Sequence, residues 1–166
     1  MSDSSESKRL WRTALVVAGV GLLILVPLGW LALRMYDDTV RRRVVSANES
    51  AALGSLEAIQ AAEQLHFETY GQYATFRQLV DAGILQSDLT GEPPVGRGYA
   101  YTFRVQPATD ARPAAYSVNA DPVRAGGRDA TGRRHFFISS DVTGVRYNET
   151  RPANKDDRLR PTMRDY

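Results

Sequence analysis

The chain has 166 residues, a formal net charge of +2, no cysteine and 43% hydrophobic residues. The length leaves room for one modest core and excludes a large multidomain enzyme. Without cysteine there is no disulfide scaffold, no thiol nucleophile and no cysteine-ligated zinc or iron–sulfur centre.

The apolar residues are unevenly spread. Residues 13–33, TALVVAGVGLLILVPLGWLAL, hold 16 of them in 21 positions, with no charge. Wound as a helix, that run reaches about 32 Å, close to the roughly 30 Å hydrocarbon thickness of a bilayer. It passes from Leu33 straight into Arg34 without a small-residue cleavage site, which favours an uncleaved transmembrane anchor over a secretory signal. Residues 1–12 are then a cytoplasmic tail. Long domains translocate largely regardless of charge, so residues 34–150 are expected outside the membrane. Trp30 and Tyr36 suit the membrane–water interface, and Arg41, Arg42 and Arg43 suit anionic head groups.

Residues 36–70 lack proline and are rich in alanine, glutamate, leucine and glutamine, which favours helix. Ala52, Leu56, Ile59, Phe67 and Tyr70 recur at three- or four-residue steps, with a gap around Glu63, and form an amphipathic stripe. Nothing breaks the helix between span and stripe, so one helix over 13–70 is expected, with Gly54 its weakest interior position. Gly71 is placed to end it. A short second helix is expected over 75–82, with Phe76, Leu79 and Val80 on one side and Gly83 as its stop. Residues 91–98, GEPPVGRG, read as a loop.

The period then changes to two. Tyr99, Tyr101, Phe103 and Val105 alternate with smaller or polar residues and predict a half-buried strand. Further strands are expected over 114–119, 135–140 and 145–147, the last two joined by a tight turn at Asp141–Gly144. An antiparallel sheet of three or four strands covering the stripe gives an α+β fold. Its helix–sheet core is expected from Leu56, Ile59, Phe67, Tyr70, Tyr101, Phe103 and Phe137. Residues 151–166 are charged and proline-flanked, and predict a disordered tail.

Chemistry is sparse in this pattern. Glu63 and His66 share a helical face, but a di-iron carboxylate site needs two such motifs and two further glutamates. His135, Ser139 and Asp141 supply the letters of a hydrolytic triad, yet on an extended strand Ser139 lies about 13 Å from His135. No nucleophile elbow, phosphate loop or calcium loop is present in the sequence. No catalytic residue, cofactor or metal is assigned, and a non-enzymatic role is expected. Residues 34–166 carry 18 basic against 17 acidic residues, which argues against nucleic acid as a partner.

The order of apolar helix, amphipathic extension, loop and small antiparallel sheet resembles the type IV pilin and type II secretion pseudopilin families. Residues 48–63, NESAALGSLEAIQAAE, followed by YGQYA at 70–74, are similar to the pilin segment just past the membrane. Residues 136–146, FFISSDVTGVR, are similar to the final pilin hairpin. The resemblance stops at the N-terminus. Pilin precursors carry a glycine–phenylalanine processing motif and a nearby glutamate; here the glutamate position falls near Gly21 and the span holds no acid. The resemblance implies a bacterial cytoplasmic (inner) membrane protein with its domain outside the cytoplasm. It would act through protein–protein contacts with envelope or pilin-like subunits, as a stand-alone adaptor or a minor subunit of a pilus or pseudopilus. The alternative is a substrate- or DNA-binding domain on the same membrane anchor.

Overall fold

The computed structural model describes residues 3–86 and 88–160, with side chains from Leu23 onward apart from Ile24 and Ala32. The elements are α1 (Asp3–Tyr70), α2 (Phe76–Asp81), β1 (Val95–Gly96), β2 (Tyr99–Gln106), β3 (Ala115–Pro122), β4 (His135–Ser139), β5 (Val142–Asn148) and β6 (Arg158–Leu159). The chain divides into two compact units, one up to Arg43 and one from Val44.

In the first unit the described side chains are almost all exposed, including Leu25, Val26, Leu28, Leu31, Leu33 and Met35. Among the described residues no helix is long and apolar enough to cross a membrane. The side chains of residues 13–22, Ile24 and Ala32, more than half of the expected span, lie outside them.

The second unit is α+β, as the periodicities predict. Its six strands run in the order β1-β2-β3-β4-β5-β6, each antiparallel to its neighbour. Among the described residues the expected three or four strands are therefore six. The two additions, β1 and β6, are two residues long, too short to show any alternation in sequence. The core lies between α1 and one face of the sheet. Ala52, Leu56, Ile59 and Ala62 meet Tyr99, Tyr101, Val118, Ala120, Phe136 and Ile138 there. Phe103 is half-buried against the same core.

Two of the expected core residues are not in it. Phe67 and Tyr70 are 39% and 58% exposed. Phe67 lies eight residues beyond Ile59, about 80° round the helix from the stripe. The stripe instead fills its apparent gap with Glu63 and His66, both buried. Phe67 stacks on Tyr73 at 4.7 Å between ring centroids, and Tyr70 lies against His66 at 4.6 Å. Phe67 thus braces the turn after α1, and Tyr70 packs along the helix on His66, rather than on the sheet. Phe137 is buried, but on the opposite face: it pairs with Asn119 and Arg146, one register step from Phe136 and Ile138.

The local stops fall near their predicted places. Gly71 takes φ +71° and its N–H donates to the Phe67 carbonyl at 2.8 Å. Thr75 and Gln78 form a reciprocal capping box at the start of α2. Gly144 is a correction. The β4–β5 turn is made by Ser140 and Asp141, and Gly144 lies inside β5, where the pairing slips between Phe137 and Ser139. Its φ of +75° fits the bulge, and a Cβ there would press on Leu159 of β6.

The tail is a second correction. Residues 151–160 are folded onto the domain, with Ala153 buried and Arg158–Leu159 paired to β5. Residues 161–166, also within the expected disordered tail, lie outside the described residues.

Candidate functional site

Four features of the second unit bring polar or exposed apolar groups together. The first is the end of the α1 stripe. Glu63 is fully buried, its Oε2 accepting from the Ala74 N–H at 2.9 Å. Its Oε1 is buried without a hydrogen-bond partner among the described residues. Burial pushes the carboxyl up to about 7, against smaller opposing effects of the Ala74 N–H and His66. His66 Nδ1 lies 2.7 Å from the Gln72 carbonyl. Glu63 and His66 therefore hold the turn at 72–74, a structural use of the spacing.

The second is the helix–loop clasp. Asn48 Nδ2 donates to the Thr131 carbonyl at 2.9 Å, and Glu49 Oε1 accepts from the Arg133 N–H at 2.9 Å. The Arg134 guanidinium sits 3.7 Å from Glu49. Beneath this loop, Gly132 faces the buried Tyr99 ring, whose hydroxyl donates to the Arg134 carbonyl at 2.9 Å.

The third is the outer face of the sheet, crossed by residues 150–157. Asn119 donates from Nδ2 to the Ala153 carbonyl at 2.7 Å and accepts on Oδ1 from Arg104. Asp157 gathers the strap: Asn148, Arg151 and the Asn154 N–H all donate to it. The Asn148 hydrogen bond, followed by the other donors, holds its carboxyl below the usual range. On the same face His135 lies 2.7 Å from Asp121, while Ser139 donates to Asp141. The triad letters are thus two separate pairs.

The fourth is a cavity of about 700 Å³ between α2, the 91–94 loop and β2. Phe76, Val80, Pro93, Pro94 and Phe103 line it, with Arg77, Asp81 and Glu92 among its polar residues. The Phe76 and Phe103 rings stand 5.5 Å apart.

Comparison with protein families, with curated proteins and with solved structures finds no match.

The residues expected at a membrane interface belong to the first unit. Trp30 and Tyr36 are 61% and 71% exposed, and the Arg34 guanidinium lies 5.2 Å over the Trp30 ring. Arg41 pairs with Asp37 one turn away at 2.9 Å, and Arg42 and Arg43 are exposed. Of the expected core set, Leu56, Ile59 and Tyr101 come together, Phe103 borders them, and Phe67, Tyr70 and Phe137 do not join. Sequence reasoning missed Asn119, Asp157 and the groove. Only the run of asparagine and aspartate at 148–157 carries a local signal for the strap, since such side chains bond nearby main-chain groups.

Proposed function

We propose that the chain is a membrane-anchored, pilin-like envelope protein without catalytic chemistry, working through protein–protein contacts on the domain formed by residues 44–160. The anchor is the apolar run 13–33, single-pass, with the N-terminus in the cytoplasm and the domain outside. The observation that carries this reading is the exposure pattern of α1. From Leu23 to Tyr36 the described large apolar side chains are each at least 50% exposed, whereas from Ala52 one face is buried under the sheet. Apolar side chains on every side of a helix need a cover that this chain does not supply among its described residues, and lipid is the natural one. The order of helix and antiparallel sheet adds the likeness to pilins and pseudopilins. The lack of a processing motif favours a stand-alone adaptor over a filament subunit.

Intact mass of the protein from washed membranes and from a sheared surface fraction tests this reading. A full-length species, released only by detergent and cross-linked to envelope proteins, is expected. Recovery in the soluble fraction would overturn the anchor. A shortened, N-methylated species in the sheared fraction would overturn the stand-alone form in favour of an assembled filament.

A further inference from the structure

The edge of β2 away from β3 is only partly paired. β1 covers Tyr99 and Ala100, and the Tyr101 N–H donates to the Pro94 carbonyl at 2.8 Å. Main-chain groups alternate in direction along a strand, so Phe103 and Val105 share the outward direction of Tyr101. Among the described residues no main-chain partner meets them on that side. The cavity beside α2 borders this edge; its Phe76 and Phe103 pack against the core on the α1 side of the sheet, and Val80 lines the same cavity. On the other face, between Phe103 and Val105, lies exposed Arg104. Its guanidinium donates to Asn119 Oδ1, and no carboxylate bonds it among the described residues.

We propose that this edge receives an extended segment of a partner protein as an added antiparallel strand, with the pattern apolar–acidic–apolar. The proposal rests on the reading that the chain works through protein contacts, and it names the surface and the partner's chemistry. An extended main chain supplies one donor and one acceptor every second residue, which is what Phe103 and Val105 present. Side chains opposite those two residues fall on the groove side, against Phe76 and Val80. The residue between them falls beside Arg104, where a carboxylate is complementary. β1 already shows this pairing mode, and the new strand continues its line past Pro94. A second copy of this chain fits poorly: two β2 edges paired antiparallel about Arg104 set one guanidinium against the other.

The test uses the full chain in detergent micelles and the capped peptide Thr-Val-Glu-Val-Thr, with amide hydrogen exchange read along β2. Two control peptides replace the glutamate by lysine or methylate the nitrogens of both valines. The glutamate peptide is expected to abolish rapid exchange at Phe103 and Val105 and to leave Thr102 and Arg104, already bonded to β3, unchanged. The lysine peptide binds more weakly by roughly two- to fivefold, the size of a cross-strand charge effect. The N-methylated peptide gives no protection. Arg104→Glu reverses the order of the glutamate and lysine peptides, a result that loss of folding cannot imitate. Equal protection by the N-methylated peptide, no protection at Phe103 and Val105, or an unchanged order in R104E would each overturn the proposal. Cross-linking to envelope proteins with β2 unprotected sinks the edge and spares the broader reading; β2 protection in a chain absent from membranes does the reverse.

Discussion

The buried carboxylate of Glu63 accepts the main-chain N–H of Ala74, eleven residues further on, at 2.9 Å. This bond ties the last turns of α1 to the segment that leads into α2. It does so with a group whose second oxygen has no partner among the described residues, so the neutral acid is the better tenant. Unfolded, Glu63 loses its proton near 4.5; folded, it holds it to about 7. Between those values the native state binds more protons, and stability falls as pH rises. The loss is on the order of 3 kcal/mol and is complete above about pH 7. Glu63→Gln keeps an acceptor for Ala74 and removes the charge. Melting of the full chain in detergent at pH 5 and pH 8 checks this. The substituted chain is expected to melt higher than the parent at pH 8, and the difference to shrink at pH 5. A parent chain that gains stability relative to the variant over that window would show that the ionised form is the favoured one.

Asn119 serves the strap and the sheet at once, through Ala153 and Arg104. Asn119→Ala leaves a buried carbonyl unpaired, at a cost of about 1–3 kcal/mol. The strap should loosen before the core does. Limited trypsin digestion is expected to cut at Lys155 faster in the variant, with cleavage elsewhere in the sheet little changed. Equal rates at Lys155 would mean that Asp157 and the pairing of β6 to β5 hold the segment without Asn119.

Gly132 has no room for a side chain. A Cβ there would overlap the ring and hydroxyl of Tyr99, which is fully buried and bonded to the Arg134 carbonyl. Gly132→Ala must displace Tyr99 or the 131–134 loop, and overpacking of this kind costs about 1–3 kcal/mol. Loss of the Asn48 and Glu49 clasp should accompany it, read as faster amide exchange at Arg133. A melting temperature equal to the parent's would show that Tyr99 moves aside freely.

Trp30 provides a direct probe of the proposed anchor. With Trp11→Phe it becomes the sole tryptophan. Its fluorescence in vesicles is expected to be quenched by lipids brominated near the head group, because tryptophan settles at that depth. Emission unchanged by bromine at any depth would place Trp30 in water and count against the span.

The parts of the fold that could be read from sequence are those with a repeating pattern. Tyr99, Tyr101, Phe103 and Val105 alternate over enough residues to declare a strand, and β2 begins where they do. The stripe of Ala52, Leu56 and Ile59 likewise declared its face. Glu63 broke the pattern because an ionisable residue at a core position looks like a gap; only the packing of residues 72–74 against it makes the position internal. Gly144 looked like a turn because a left-handed glycine serves turn and bulge alike, and only the pairing to β4 separates the two uses. Residues 151–160 looked unstructured because their composition offers little to bury. Their order comes from hydrogen bonds to Asn119 and Asp157, and composition does not register those. The groove was invisible for a similar reason, being assembled from α2, a proline loop and β2.

The unbroken strand order from β1 to β6 has a consequence for how the domain is made. Every strand pairs with the one synthesised just before it, so no strand waits for a distant partner and the sheet can grow in the order in which the chain is delivered. The helix stripe comes first and remains uncovered until β2, β3 and β4 have formed. The strap comes last and closes a sheet already built. A chain threaded across a membrane from its N-terminal end could therefore assemble during passage, one hairpin at a time.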